Sequence, residues 1–373
     1  MNKKKKIGIS ARGVGAAFTG PNSYTLDFTR ELIRQAQDCE VHVYYNSPRH
    51  LGFIDGGVEH VVHGSNLLLW DHVLLPLQMK RDGISLAIFP KGTASFFPPC
   101  KTALITLDLG YFYDELSAYR KLNTIYMKHA MRYSAHKAEV VFTISEHTRQ
   151  DVLLFLDVPD EKTLNIQGAA SANYRPVRDP SELDKIRHRF NLREPFIFFP
   201  TNVSPRKNFT RILDAFEKIQ DGIPHHLYFT GNITWDAGDV FKRLDGPVSA
   251  RVHQLGEVPP EDMAGLYTLA QFTIYPSLFE GLGLPVLEAF QCGSPVLTSA
   301  ETSLPEIAGD AALIVDAYSV DSIAQGMYRM ATDANLRSEL KRKGFERAEL
   351  FTWEKSVKKV LQYFEKQKLP GSG

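Results

Sequence analysis

Short apolar runs alternate along most of the chain with longer stretches in which apolar positions recur at helical spacing. The runs suit strands buried on both faces of a parallel sheet, and the longer stretches suit the helices that cover such a sheet. This reading predicts strands at Ile7–Ser10, Val41–Asn46, Leu86–Pro90, Ala103–Thr106 and Val140–Ile144. A second series follows at Phe196–Pro200, His226–Thr230, Val252–Leu255, Phe272–Pro276, Pro295–Thr298 and Ala312–Val315. Between them, Tyr174 to Pro195 holds Pro176, Pro180 and many charges, and reads as a linker with a connecting helix. The expected organisation is therefore α/β throughout: a first Rossmann-like domain at 1–175, a second at 176–350, and a final helix at 351–369. That last stretch has Trp353, Val357, Val360, Leu361 and Phe364 at helical spacing, so it can cap a core.

Composition narrows the function more than the fold. A length of 373 residues accommodates two such domains, and the hydrophobic and charged fractions of 43% and 23% are ordinary for a globular protein. Basic and acidic residues number 43 each, and this balance argues against a nucleic-acid partner, which needs a cationic excess. Cys39, Cys100 and Cys292 are widely spaced and contain no C-x-x-C pair, which suggests a reducing compartment and neither a disulfide framework nor a zinc cage. The apolar stretch after the lysines at the start, Ile7 to Ser10, is too short for a signal core or a membrane span, so a cytoplasmic location is expected. Pro370 to Gly373 reads as a flexible tail.

In open parallel sheets ligands bind beyond the carboxyl ends of the strands. After Phe196–Pro200 comes Thr201-Asn202-Val203-Ser204-Pro205-Arg206-Lys207-Asn208, followed by helical periodicity from Phe209 to Ile219 with Asn208 as the expected N-cap. Two cations at the positive end of a helix dipole make sense if an anion such as pyrophosphate is shared between them and the backbone amides; two solvated surface charges are the plainer reading. After Phe272–Pro276 comes Ser277-Leu278-Phe279-Glu280-Gly281-Leu282-Gly283-Leu284-Pro285-Val286-Leu287-Glu288. Gly281 and Gly283 allow close backbone approach, Pro285 suits a first helical turn and Gly293 a helix end. Glu288 is then the one charge on a short apolar helix, where the vicinal hydroxyls of a ribose would satisfy it, and Glu280 would face the sugar end of the same ligand. The plainer reading is that both acids favour a helix N-terminus.

Other motifs exclude rather than assign. Gly13, Gly15 and Gly20 lie between the first strand and a helix expected at Ser23–Gln35, but Phe18 and Asn46 stand where a dinucleotide fingerprint wants a glycine and an acid. No Walker loop and no paired aspartates two apart are present, and His60 with His63 has poor spacing for a metal pair. The stretch Tyr119 to Lys137 carries Arg120, Lys121, Lys128, Arg132 and Lys137 among Tyr126, Met127 and Met131. It suits either peripheral contact with an anionic membrane surface, beside a lipid-linked acceptor, or a solvated helix face.

The stretch Phe279 to Ala289, with Glu280 and Glu288 separated by seven residues, resembles the signature of family-four retaining glycosyltransferases of GT-B fold. Pro205-Arg206-Lys207-Asn208, Ile144-Ser145-Glu146, Ser303-Leu304-Pro305-Glu306 and Gly309-Asp310-Ala311-Ala312 extend the resemblance over nearly the whole chain. It is most specific from Phe199 to Val315, and the nearest branch is mannosyltransferase-like, acting on bacterial surface polysaccharides. The resemblance implies two Rossmann-like domains facing each other across a cleft, with the final helix crossing back to the first. It implies a GDP- or UDP-sugar donor, a glycan or lipid-linked acceptor, no metal or other cofactor, and work in the cytoplasm or at the inner membrane face. Arg206 and Lys207 would hold the diphosphate and Glu288 the ribose. Glu280, with the backbone of Gly281, Leu282 and Gly283, would position the sugar, and Gly20 would lie near the phosphates. Two positions depart from the family: Asn202 stands where many members have Arg, and Leu107 where a histidine usually precedes Asp108, leaving Asp108 as the first domain's candidate sugar contact.

The leading expectation is thus a retaining hexosyltransferase, with mannose as the first candidate sugar, in which Glu280→Gln or Lys207→Ala lowers transfer by orders of magnitude and leaves folding intact. A sugar-nucleotide epimerase of the same architecture, or a silent nucleotide-sugar-binding module, are the alternatives.

Overall fold

The structure is a computed structural model and describes residues 4–15, 19–114, 121–232, 244 and 250–369. The start of the basic stretch, Tyr119 and Arg120, together with Phe18 and the tail Pro370 to Gly373, lies outside the described residues. The chain divides into two compact units. The first comprises described residues up to Tyr113, from Lys121 to Ala169 and from Phe351 onward; the second comprises Asp114 and Ala170 to Leu350. Each is a parallel α/β sheet, and the fold is GT-B with two Rossmann-like halves.

In the first unit the strands are β1 (Lys5–Ser10), β2 (Cys39–Tyr45), β3 (Val58–Val61), β4 (Leu86–Phe89), β5 (Lys101–Thr106), β6 (Val140–Thr143) and β7 (Thr163–Asn165), in the spatial order 3-2-1-4-5-6-7. In the second they are β8 (Phe196–Phe199), β9 (His226–Phe229), β10 (Val252–Gln254), β11 (Phe272–Tyr275), β12 (Val296–Ser299) and β13 (Ala312–Val315), in the order 10-9-8-11-12-13. Strands such as β4 and β8 are buried at every position, which is why they read as unbroken apolar runs. β3 and β7 have no counterpart in the sequence reading. Both are short sheet-edge strands with polar residues, Val-Glu-His-Val and Thr-Leu-Asn, and edges are kept short and polar because they have no second strand to cover them.

Strand order reverses between β1 and β4 in one sheet and between β8 and β11 in the other. Crevices at the carboxyl ends of such strand pairs are where ligands of this fold class bind. In the first unit, helix α1 (Gly20–Gln35) follows β1 and begins three residues earlier than the sequence predicts, because Pro21 fits its first turn. Helix α2, residues 67–82, joins Leu67–Leu69 and Leu75–Asp82 through a π turn at Trp70–Leu74. α3 (Lys121–Lys137) and α4 (Glu146–Leu156) lie on either side of β6 in sequence, and the final helix, α12 (Trp353–Lys366), packs onto the first unit. Trp353 meets the Tyr24 ring edge-on at 4.9 Å, and the Ser356 hydroxyl donates to the Gln167 carbonyl at 2.7 Å.

In the second unit α5 (Pro180–Arg189) precedes β8, α6 (Phe209–Ile219) follows it, and α7 (Pro260–Leu269) precedes β11. α8 (Leu284–Cys292), α9 (Leu304–Ala308), α10 (Val320–Thr332) and α11 (Ala334–Ala348) follow. Phe209, the first residue of α6, packs on Phe199 of β8 at 5.1 Å and Phe229 of β9 at 4.6 Å, which fixes where α6 starts over the sheet. Among the described residues no helix is long and apolar enough to cross a membrane.

Candidate active site

The loops leaving β8 and β11 are stitched together by their backbones. Leu278 N donates to the Arg206 carbonyl at 2.8 Å, and the Arg206 guanidinium donates to the Phe279 carbonyl at 3.1 Å. Asn208 is the fastener: its buried amide nitrogen donates to the carbonyls of Pro276 at 3.0 Å and Ala317 at 2.7 Å. It precedes α6 as expected, but its side chain makes no cap hydrogen bond, and its backbone sits at φ 64° in the left-handed region. Asn tolerates that conformation better than most residues, and here its amide is used to tie two loops together rather than to cap a helix. Arg206 and Lys207 accordingly lie in a 3-10 turn, Pro205–Lys207, ahead of α6 rather than on its first turn.

This stitching brings three charges together. The Lys207 ammonium lies 2.6 Å from Glu280 Oε1, and the Arg206 Nη1 lies 3.3 Å from Oε2 of the same carboxylate. The Tyr275 hydroxyl, at the end of β11, donates to Glu280 Oε1 at 3.0 Å and is itself hydrogen-bonded to the Lys207 ammonium. Lys207 and Glu280 are both buried. Burial alone would raise the Glu280 carboxyl, but the adjacent Lys207 and Arg206 charges outweigh it and hold the pKa down at about 2. The Tyr275 phenol moves the other way, raised by burial and by the Glu280 charge, so it stays a donor.

The backbone of Glu280 is held as tightly. Its N–H donates to the Thr302 hydroxyl at 2.9 Å, while the hydroxyls of Thr302 and Ser303 donate to its carbonyl at 3.1 and 2.9 Å. Thr302 achieves this at φ 51°, an uncommon conformation for a β-branched residue, and such strain persists only where surroundings over-determine it. Gly283 follows at φ 98°, and a Cβ there would sit 2.7 Å from Leu304, so the turn into α8 needs glycine on both counts. α8 then runs with Pro285 in its first turn and Gly293 as C-cap, as the sequence predicts. Glu288 lies half-buried on it and accepts from the Tyr267 hydroxyl at 2.7 Å.

The structure thus gathers Arg206, Lys207 and Glu280, with Gly281, Leu282 and Gly283 on the same loop and Glu288 on the helix it leads into. Tyr275, Thr302 and Ser303 were not among the candidates. Tyr275 closes an apolar strand and reads as core, and nothing in the sequence marks a threonine for positive φ. The expectation that Lys207→Ala leaves folding intact does not survive this geometry, since a buried ion pair that loses one member costs about 3–5 kcal/mol. Asn202, which stands where many members of the family have Arg, braces a turn: its Oδ1 accepts from Asn232 N at 2.9 Å.

Asp108 and Gly20 lie in the first unit. Asp108 follows β5 and its carboxylate accepts from Gly110 N at 2.9 Å, opening a 3-10 turn at Gly110–Phe112. Gly20 opens α1 and is exposed, with space around it for a larger residue. The β1/β4 crevice of this unit holds a second charged group that the sequence reading did not find. Arg12 is ion-paired with Asp71 from the π turn of α2, and the Lys91 ammonium, just after β4, donates to the Arg12 carbonyl at 2.5 Å and to Asn22 Oδ1 at 2.7 Å. Burial, with repulsion from Arg12, pushes Lys91 down to about 8; burial pushes Asp71 up despite Arg12.

Among the described residues one group has the donors for a metal ion: His42, His60 and Asp82, with ligand-capable atoms within 4.8 Å of one another. His60 pairs with His42 across β2 and β3 at 2.8 Å, not with His63. This group lies in the first unit, whereas the Glu280 cluster lies in the second.

Residues 180–347 match the family model described as Glycosyl transferases group 1. The chain is 29% identical over 244 residues to the O-antigen chain mannosyltransferase B of Escherichia coli, an alignment covering 64% of this chain and 64% of that protein. The match thus spans just under two thirds of that relative's length. Among solved structures it superposes on a glycosyltransferase from Rickettsia africae with TM-score 0.76 and 13% identity, covering 97% of this chain and 98% of the other. It superposes equally, at TM-score 0.76 and 15% identity, on Anabaena Alr3699/HepE in complex with UDP and glucose, covering 96% and 99% of the two chains.

Proposed function

We infer that this chain, whose residues 180–347 form a group 1 glycosyltransferase domain in a GT-B fold, is a retaining hexosyltransferase. It moves a hexose, with mannose as the first candidate, from a GDP- or UDP-sugar to a glycan or lipid-linked acceptor, and it uses no metal ion or other cofactor. The choice of mannose rests on similarity to the E. coli mannosyltransferase, and the nucleotide donor on the Anabaena neighbour solved with UDP and glucose. A cytoplasmic location fits the cysteines, which form no disulfide.

One observation carries the reading: two cations share a single buried carboxylate where the loops after β8 and β11 meet. The cluster keeps one net positive charge, and a sugar diphosphate supplies the missing anion. Arg206 and Lys207 bind the diphosphate, Glu280 and the backbone of Gly281, Leu282 and Gly283 orient the sugar, and Glu288 accepts from the ribose hydroxyls. As the bond from the anomeric carbon to the phosphate oxygen breaks, negative charge grows on the leaving diphosphate. Cations already fixed in place by a buried carboxylate stabilise that charge more in the transition state than in the ground state. The acceptor oxygen bonds to the anomeric carbon from the face the phosphate leaves, and its proton passes to a phosphate oxygen, which gives retention. The acceptor is assigned to the first unit, with Asp108 as its carboxylate.

The test is a panel of GDP- and UDP-hexoses incubated with the chain, with and without an oligosaccharide acceptor. The expected result is acceptor-dependent release of nucleoside diphosphate, unchanged by EDTA, and an α-linked product from an α-linked donor by NMR. Donor conversion without acceptor would make the chain an epimerase, and donor binding without turnover would make it a binding module.

A further inference from the structure

One edge of each sheet carries the same trio of side chains, two histidines and a tyrosine. In the first unit His42 and Tyr44 lie two apart on β2, and His60 of the edge strand β3 stands opposite Tyr44. In the second, His226 and Tyr228 lie two apart on β9, and His253 of the edge strand β10 stands opposite Tyr228. Residues two apart on a strand share a face, so each trio forms one layer. The tyrosine and edge-histidine rings are 4.7 Å apart in one layer and 4.6 Å in the other, and the paired histidines meet through ring nitrogens at 2.8 and 3.0 Å.

The surroundings of the two trios differ in charge. Beside the first, Glu40 Oε1 accepts from His42 Nε2–H at 2.5 Å, and Asp82, the last residue of α2, has Oδ2 3.6 Å from His60 Nδ1. Asp82 is held there from two sides, by the Tyr44 hydroxyl at 2.8 Å and the Gln78 amide at 3.0 Å. Lys6 pairs with Glu40 at 3.3 Å, which leaves one net negative charge around the histidines. Beside the second trio stand Arg251 and Arg193, whose charges oppose a cation on His226, and the Tyr228 hydroxyl donates to the Asn191 carbonyl at 3.3 Å rather than to a carboxylate.

The first trio is also one proton short. A neutral His42 spends its single N–H on Glu40, so its Nδ1 presents a lone pair to His60. Asp82 presents a second acceptor on the other side of His60. A neutral imidazole has one N–H for these two acceptors, so one of the contacts always sets lone pair against lone pair. A metal ion removes the conflict, because lone pairs are what it binds. One nitrogen from each histidine and one Asp82 oxygen already lie within 4.8 Å of one another, with His42 buried and the other two half-buried. Ligand atoms on a tetrahedral Zn²⁺ are roughly 3.3 Å apart, so the set has to close by up to about 1.5 Å.

We propose that His42, His60 and Asp82 bind a divalent transition-metal ion of the Zn²⁺ class, with Glu40 behind His42 as the carboxylate that fixes its tautomer. The ion ties the edge strand β3 and the end of α2 to β2. It is a structural clamp and takes no part in transfer: Asp82 closes α2 just before β4 begins, so the site is displaced from the β1/β4 crevice at the strands' carboxyl ends. The His226 trio, with arginines in place of acids, binds no such ion.

The experiment is calorimetric titration of Zn²⁺ into the full chain after EDTA treatment and dialysis, with thermal melts in the presence and absence of Zn²⁺. One ion per chain and a higher Tm with Zn²⁺ are expected. His60→Gln and Asp82→Asn should each weaken Zn²⁺ binding about tenfold or more, and Glu40→Ala about 10–100-fold, the range for removing the partner of a ligating histidine. His253→Gln should bind Zn²⁺ as the wild type does. The readout is the rise in Tm that Zn²⁺ causes, so a variant that is merely less stable is told apart from one that has lost the site. Transfer by His60→Gln should be unchanged, which separates failure of the clamp from failure of the glycosyltransferase reading. Neither heat nor a Tm rise at a hundredfold excess of Zn²⁺ would overturn the proposal by showing that a proton bridges the histidines instead. Binding that survives His60→Gln, or that disappears in His253→Gln, would overturn it by placing the ion elsewhere.

Discussion

At the reversal point of each sheet, two cations and one carboxylate stand beyond the strand ends. After β8 and β11 they are Arg206, Lys207 and Glu280; in the β1/β4 crevice they are Arg12, Lys91 and Asp71. The formal charge is the same, yet the groups respond in opposite ways. Glu280 touches both of its cations and is held down at about 2, whereas Asp71 touches only Arg12 and burial raises it. Lys91 makes no ion pair with Asp71; it donates to a carbonyl and an amide oxygen and drops to about 8. Desolvation acts on every buried charge; the two cations and the hydrogen bonds on Glu280 outweigh it, and the single cation on Asp71 does not. The second unit therefore holds Glu280 ionised across the physiological range, and the first holds a lysine whose pKa burial lowers to about 8.

The harshest way to break this contrast is Lys207→Ala. It leaves Glu280 buried with Arg206 alone at 3.3 Å and should cost about 3–5 kcal/mol in urea unfolding, with transfer falling as well. A loss below about 1 kcal/mol would mean that the pair is solvated and behaves like a surface salt bridge. Glu280→Gln comes next. It keeps the shape of the side chain while removing the charge, and kcat should fall about 10²–10³-fold, the range for loss of one preorganised transition-state contact. A variant with wild-type kcat would reduce Glu280 to a structural counter-ion. Acid sharpens the same point: the folded chain holds Glu280 below its ordinary 4.5, so its contribution to stability is present above 4.5 and is lost as pH falls toward 2.

The two clusters were not equally legible in the sequence. Arg206 and Lys207 are adjacent, and Glu280 sits in a glycine-rich turn whose Pro285 and Gly293 mark the bounds of α8, so local rules point to them. The other cluster is assembled entirely by topology: Arg12 and Asp71 are 59 residues apart, and Lys91 and Arg12 are 79. No spacing rule joins such positions before the sheet order is known. The buried strands were visible because both of their faces are apolar, whereas β3 and β7 lack that mark at the sheet edge. Asn208 stands at the N-cap position as expected, but its amide does not cap, because propensity sees the short side chain and not the carbonyls of Pro276 and Ala317 that the fold delivers to it.

The gentlest tests fall on the first unit. Lys91 loses its proton at about 8 in the folded chain against an ordinary 10.5, so between those values the unfolded chain binds more protons and stability rises with pH. Lys91→Met should flatten that rise in thermal melts taken from pH 7.5 to 10.5, and a slope equal to wild type would mean that the ammonium is solvated. Arg12→Gln should do less. Its ion pair with Asp71 leaves the two side chains 28% and 24% exposed, so the loss should stay within about 1 kcal/mol. What should move is the neighbour: with the Arg12 charge gone, less opposes the Lys91 ammonium, and the alkaline rise in stability should start at higher pH. If Arg12→Gln instead costs as much as Lys207→Ala, the two clusters are built alike and contact geometry does not distinguish them.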